Sequence, residues 1–409
     1  MKVWLKYLLG IAVGIASALI LPMDSPQAKV VLDFIIELAT RFGRYTLLPM
    51  LFFSIATACY RLQEHKLILK TGAWTFVIII ASSFLLTVLG IASALFIKLP
   101  RLPITIEKTS ELPVLELKSL LTSLFPYSSF EVLLQGSYLL PCFIFAGLFG
   151  AASYNERVGA KAAFTWLDAM NRVCYNVTSF FTELLSLGMI AFMCKWTIEF
   201  IALRKTGVFI PLLLLLSADL VITAFVLYPL LLRIVFKEKR PLRVLYAAIC
   251  PFLAAFFSGD TNLALAILIR HGKESLGIRH AVNGVTFPLF SIFARGGAAL
   301  VQTVCFIVIL RSYSPQELKL ELILWIGVIS LLLSFVQCAM PTGGPFFALA
   351  IMCMSYSPSF EASYLLLREA SPIICAFATG FDAITAMFGS YVVGLKTNTI
   401  EHIELKNFI

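Results

Sequence analysis

Three charged residues lie inside long apolar runs of this chain: Asp260, Arg295 and Asp382. A charge held at membrane depth is costly, and as a rule it serves function or a specific partner. A guanidinium there can grip a carboxylate or another anion. A carboxylate can hold a cation, cap a helix or, once desolvated, carry a proton. Arg295 therefore has two readings: a structural ion pair with Asp260, or the ligand of an anionic substrate. Glu183 and Asp219 are further acids in apolar surroundings, each either a helix-packing hydrogen bonder or a proton carrier. Two polar interruptions accompany these charges. Ser258-Gly259-Asp260-Thr261-Asn262 breaks one apolar run, and Gln337-Cys338-Ala339-Met340-Pro341-Thr342-Gly343-Gly344-Pro345 breaks another. Thr261 and Asn262 are expected to cap a helix N-terminus, while Gly343 and Gly344 let backbone approach a ligand closely.

The elements that must position these residues are membrane helices. Of 409 residues, 60% are hydrophobic and 13% charged, with a mean hydropathy of +0.92. A soluble domain carries about 25% charged residues, so lipid is the solvent for most of this chain. A cytosolic enzyme, a secreted disulfide scaffold and a disordered tail are excluded. The net charge of +9 sits in short joints such as Arg61/Lys66/Lys70, Arg157/Lys161, Arg233/Lys237/Lys239/Arg240/Arg243 and Arg270/Lys273/Arg279. Short basic joints mark cytoplasmic loops, which predicts an inside N-terminus and excludes nucleic acid as a partner. The run ending near Ile20 is read as a retained first helix, and the polar joint at 98–118 as an aqueous loop. Nine cysteines are scattered singly with no CxxC pair and are read as packing residues. No HExxH, GxSxG or Cys/His spacing is present, so neither an enzyme nor a metal site is expected.

The length accommodates about 8–12 crossings. The two interrupted runs do not read as simple spans, because each half has ~10–15 residues, about 15–22 Å of helix, against a core of about 30 Å. Irregular backbone at that depth must be buried in protein or face a watery cavity. Two short, Gly/Pro-interrupted segments in one chain point to a transporter's binding site. Arg240/Arg243 and Arg270/Lys273 flank the first segment, so both of its ends favour the cytoplasm. The expectation is an all-α polytopic membrane protein, multi-pass in the cell membrane. It has about eight transmembrane helices plus two re-entrant helical hairpins, with a small-molecule substrate and the bilayer as partners. The alternative for each hairpin is a pair of spans kinked by Gly and Pro.

With that organisation, the chain resembles the dicarboxylate/amino-acid:cation symporter family, the glutamate-transporter homologues, from end to end. The likeness is carried by Leu48-Pro49-Met50-Leu51-Phe52-Phe53-Ser54, by Thr286-Phe287-Pro288-Leu289 followed by Gln302, by Met340-Pro341-Thr342-Gly343-Gly344 and by Gly380-Phe381-Asp382-Ala383-Ile384. The resemblance implies a homotrimeric elevator transporter of a dicarboxylate, amino acid or other small organic anion. Residues 1–240 would be mainly scaffold and trimerisation spans, with the third span and part of the fifth and sixth touching the core. Residues 241–395 would form the transport core and 396–409 a cytoplasmic tail. The substrate-binding candidates are Thr261, Asn262, Thr342, Gly343, Gly344 and Asp382, at the hairpin tips and last span that the resemblance points to, with Asp260 and Arg295 added for their charges. Ser82, Ser83 and Asp382 are the ion-coupling candidates, with no cofactor beyond sodium or a proton as coupling ion.

The chain departs from the family at its sodium and substrate positions. Where relatives read Asn-Met-Asp-Gly-Thr, this chain has Ala294-Arg295-Gly296-Gly297-Ala298. Hard cations require oxygen ligands, and an arginine at this place repels a second cation. Relatives' substrate-binding Asp and Arg correspond to Ala386 and Gly389, and two further ligands to Val393 and Thr397. The expectation is that Arg295 stands as a tethered cation where sodium would bind, so sodium coupling is lost. Alternatives are a proton-coupled or uncoupled carrier of a different small solute, or an anion channel on the same scaffold. Phe293 and Phe388 either favour a less polar ligand or simply pack against neighbouring helices.

Overall fold

The apolar runs become helices, and the polar interruptions become the turns between them. The computed structural model describes residues 2–20, 25–97, 99–103, 122, 124–134, 136, 138–156, 159–313, 319–357 and 360–409. The joint at 98–118, apart from 99–103, and Arg157 lie outside the described residues. Among the described residues there is no strand, only one isolated bridge between Ile278 and Ile400.

The longer helices run α1 Val3–Ile20, α2 Pro26–Arg44, α3 Leu47–Glu64 and α4 Ile68–Phe96, then α5 Leu140–Asn155 and α6 Lys161–Thr206. They continue with α7 Ile210–Ile234, α8 Leu242–Ser258, α9 Thr261–Glu274 and α10 His280–Phe293. The last four are α11 Gly296–Tyr313, α12 Leu320–Val336, α13 Gly344–Tyr356 and α14 Ser371–Thr397. Local chemistry sets several boundaries. Ser25 accepts a hydrogen bond from the Ala28 N–H at 3.2 Å and Pro26 opens α2, a capped start with proline in the first turn. Inside α7 the stretch Ile222–Leu227 widens to a π-helix next to buried Asp219.

Eight helical stretches of the described chain are long and apolar enough to cross a membrane, as the composition required. Their burial sorts them. The most apolar window of α14 is 100% buried and that of α10–α11 94%, against 22% for α1 and α12. A helix apolar on all sides that is also buried on all sides is central, so α10, α11 and α14 form the middle of the molecule. One apolar cluster joins α3, α9, α10 and the second half of α14. A second joins α11, α12, α13 and the first half of α14. In α1, a side chain added at Gly10 would lie 2.4 Å from the Ser186 carbonyl oxygen, and one at Gly14 2.5 Å from that of Ile190. This small-xxx-small stripe lets α1 and α6 meet backbone to backbone.

Two helical hairpins follow α7. In the first, α8 ends at Gly259 in the left-handed region (φ +64°), and α9 begins two residues later. In the second, α12 passes through a 3-10 turn, Gln337–Ala339, and α13 starts after Gly343 (φ +70°). The tips touch: the Thr261 N–H donates to the Pro341 carbonyl at 3.2 Å. Beyond α14 the chain is pinned rather than free. The Glu401 N–H bonds the Gly277 carbonyl at 2.8 Å, Phe408 is buried, and the Arg243 guanidinium lies 5.2 Å from its ring centre.

Candidate functional site

The chain is unwound between α10 and α11 at Ala294-Arg295, and α14 passes directly beside the break. Gly297 is the second residue of α11. A Cβ there would lie 2.3 Å from the Phe381 Cβ and 2.6 Å from the Ala378 carbonyl oxygen. Only glycine permits that approach, and it places the Gly297 N–H 2.8 Å from Asp382 Oδ1. The other carboxylate oxygen, Oδ2, faces Arg295 Nη1 at 3.8 Å.

Arg295 is buried, 4% exposed, and that distance is well beyond the 2.7–2.9 Å of a strong charged hydrogen bond. Its Nε has no hydrogen-bond partner among the described residues. Its charge interacts with Asp260 and Cys338, one residue from each hairpin tip. A guanidinium offers five donors, and among the described residues one loose contact answers them. The arrangement is a fixed buried cation with donors to spare.

The expected pairing of Arg295 with Asp260 is replaced by another. Asp260 Oδ2 accepts from Arg44 Nε at 2.7 Å and Nη2 at 2.5 Å. Its Oδ1 accepts the N–H groups of Asn262 and Leu263 at 2.9 and 3.3 Å. Asp260, not Thr261 or Asn262, is therefore the cap of α9. A cap lies one residue outside the helix, and Thr261 is already its first turn. Thr261 reaches the second tip through Oγ1, which donates to the Pro341 carbonyl at 3.4 Å, while Asn262 Nδ2 donates to the Gly136 carbonyl at 3.2 Å.

On the second tip, Thr342 and Gly343 are exposed and Gly344 is buried against Gln337. Gln337 Nε2 donates to Gln302 Oε1 at 2.8 Å, and Gln302 Nε2 to the Ser330 carbonyl at 2.6 Å. This amide chain through Gln337 and Gln302 fixes the tip to α11 and was not anticipated from the sequence.

Of the oxygen donors expected near sodium, Ser82 and Asp382 are already bonded. Ser82 Oγ donates within its own helix to the Ile79 carbonyl at 3.0 Å. Ser83 is buried, with no hydrogen-bond partner for its hydroxyl among the described residues, and its Cα packs where a Gly296 side chain would stand. Asp382 Oδ1 is committed to Gly297 and its Oδ2 faces a cation. A second cation at this place would meet one carboxylate already shared with a guanidinium, so the donor set does not fit sodium. No group of three or more His, Cys, Asp or Glu able to hold a metal occurs among the described residues.

A side chain at Gly389 would lie 2.3 Å from the Phe290 ring, so an aromatic edge fills that space. Phe388 stacks on Tyr228, with ring centres 5.1 Å apart, and the two rings line a cavity of about 210 Å3 with Ser82 and Gly389. Behind the tips, the cavity touching Thr261, Phe290, Asp382 and Ala386 holds about 10 Å3, less than one water needs. In front of them a cavity of about 530 Å3 opens between α2, α6, α14 and both tips, reaching Arg44, Asp260, Thr342 and Gly343.

The other two acids of the apolar runs both have partners. Glu183 binds Lys6 at 2.7 Å and Arg270 at 2.9 Å. Asp219 accepts from Ser93 Oγ at 2.7 Å. Arg270 is buried against α6. All nine cysteines are free thiols, seven of them buried.

Compared with curated proteins, the chain finds no match. Compared with protein families, residues 3–395 match the sodium:dicarboxylate symporter family. That span covers both hairpins, the unwound break and all of α14 but its last two residues, so this multi-pass membrane protein belongs to the sodium:dicarboxylate symporter family.

Proposed function

We propose that the protein is a secondary carrier of a small organic anion in which Arg295 takes the place of the coupling sodium. The observation that carries this reading is a buried guanidinium with, among the described residues, a single long contact to a carboxylate. A cation fixed to the chain supplies the positive charge that a bound sodium would bring, and it travels with the protein rather than with a gradient. The substrate's anionic group enters from the cavity of about 530 Å3 in front of the tips, meets the N–H groups at the uncapped start of α13 beside Gly343 and Gly344, and gains the spare donors of Arg295 once the tips part. Because Phe290 fills the space beside Gly389, the rest of the substrate is small or apolar rather than a second carboxylate.

In this reading both hairpins are re-entrant, and residues 241–395 move as the transport core of an elevator against the scaffold of residues 1–240 in a homotrimer. Residues 396–409 lie on the cytoplasmic side. The lengths of α9 and α13, 14 and 13 residues, support re-entry, since at 1.5 Å per residue neither spans a core of about 30 Å.

The reading is tested by thermal unfolding of the purified protein with monocarboxylates, dicarboxylates and amino acids, each with and without sodium. At a hundredfold excess over Kd a ligand stabilises the folded state by about 2.7 kcal/mol. The expected result is an organic anion that raises the melting temperature equally in sodium and in a sodium-free buffer. Stabilisation that requires sodium refutes the proposal.

A further inference from the structure

Helix α9, the second arm of the first hairpin, is tied ionically at both ends to helices of the first 240 residues. At its start Asp260 receives the Arg44 fork from the last residue of α2. Near its end Arg270 donates to the Ser179 carbonyl, Thr182 Oγ1 and Glu183 Oε1 of α6, each at 2.9 Å. Glu183 in turn holds Lys6 of α1, and Tyr175 of α6 donates to Glu274. Arg295 takes part in neither tie.

We propose that the two ties form a latch that holds the first hairpin against α1, α2 and α6, and that both must release before the hairpin can travel. The inference rests on the reading that hairpin and scaffold move relative to one another. The burial pattern suits a latch rather than a permanent rivet. In each tie one partner is buried and the other is open: Asp260 is 3% exposed against 25% for Arg44, and Arg270 11% against 40% for Glu183. Burying both partners would make separation prohibitive, whereas an exposed pair would hold little. Here the open partner rehydrates on release. Asp260 still keeps its two backbone N–H bonds, so the cap of α9 survives. The cavity of about 530 Å3 reaches both Arg44 and Asp260 and brings solvent to that tie.

The test places spin labels, introduced as non-canonical amino acids so that the native cysteines stay untouched, at exposed Val177 on α6 and Leu324 on α12. Distances are measured in the full-length protein in lipid nanodiscs. Asp260→Asn retains a capping side chain but removes the charge; Arg44→Gln attacks the same tie from its other partner. Each is expected to shift the ratio toward a second distance on the order of tenfold. Combining the two adds little, because they break one interaction. Glu183→Gln opens the other tie, and together with Asp260→Asn it gives the largest shift. An unchanged distance distribution in the Asp260→Asn/Glu183→Gln variant overturns the latch. The readout needs neither substrate nor sodium, so sodium-dependent ligand binding would refute the carrier reading above and leave this result standing.

Discussion

Arg295→Met lowers anion uptake by on the order of a hundredfold or more and abolishes ligand-induced stabilisation. The substitution keeps an unbranched apolar stem and removes all five donors, so the site loses both its charge and its fork. It also strands Asp382, whose remaining hydrogen bond comes from the Gly297 N–H at 2.8 Å. Removing one member of a buried ion pair costs about 3–5 kcal/mol. The 3.8 Å separation of this pair places the loss at the lower end. Two companions separate binding from folding. Arg295→Met with Asp382→Asn removes both charges, and it recovers most of the melting temperature without recovering uptake. Arg295→Lys keeps the charge without the fork and binds the anion weakly. Uptake and melting temperature measured on the same preparations check all three. Saturable uptake unaffected by Arg295→Met would show that the substrate binds elsewhere.

Gly297→Ala disrupts the site through the backbone. The added methyl would stand 2.3 Å from the Phe381 Cβ, 2.6 Å from the Ala378 carbonyl oxygen and 2.8 Å from Asp382 Oδ1. Two of those three neighbours are a backbone oxygen and a Cβ, which no rotamer change can move, so α11 and α14 must separate. Overpacking of a tight interior costs typically about 1–3 kcal/mol and occasionally more, and here the Gly297–Asp382 hydrogen bond is lost as well. A fall in melting temperature is expected together with loss of ligand-induced stabilisation. Gly72→Ala in α4 is the control. A Cβ there meets nothing within 4 Å, and alanine is favoured over glycine in a helix by up to about 1 kcal/mol. If the two variants unfold alike, the close approach at Gly297 is not what holds the site.

The two helix breaks were legible because their signals are local. Gly259 and Gly343 stand where the backbone turns left-handed, and short apolar arms on either side leave few other arrangements. The cap was harder to place. Asp260, Thr261 and Asn262 are consecutive residues of similar capping preference, and the choice among them depends on where the helix begins, a boundary that composition does not mark. The partners of the charges were not legible at all. Arg44 reaches Asp260 across 216 positions and Lys6 reaches Glu183 across 177, and Arg41, three residues before Arg44, is just as basic. Nor does any pattern announce that the Phe290 ring fills the space beside Gly389, since the two lie on different helices. Arg295 stood out as a charge in an apolar run, but its neighbour did not: that it faces Asp382 at 3.8 Å, while Asp260 pairs with Arg44, depends on how distant helices pack.

The central claim is that a fixed guanidinium replaces the coupling ion, and uptake into proteoliposomes tests it most directly. The solute is the organic anion that stabilises the purified protein most strongly, carried across an inward sodium gradient and, separately, with sodium absent on both sides. With Arg295 as the fixed cation, uptake is saturable and equally fast in both conditions; robust stimulation by the sodium gradient would contradict that role.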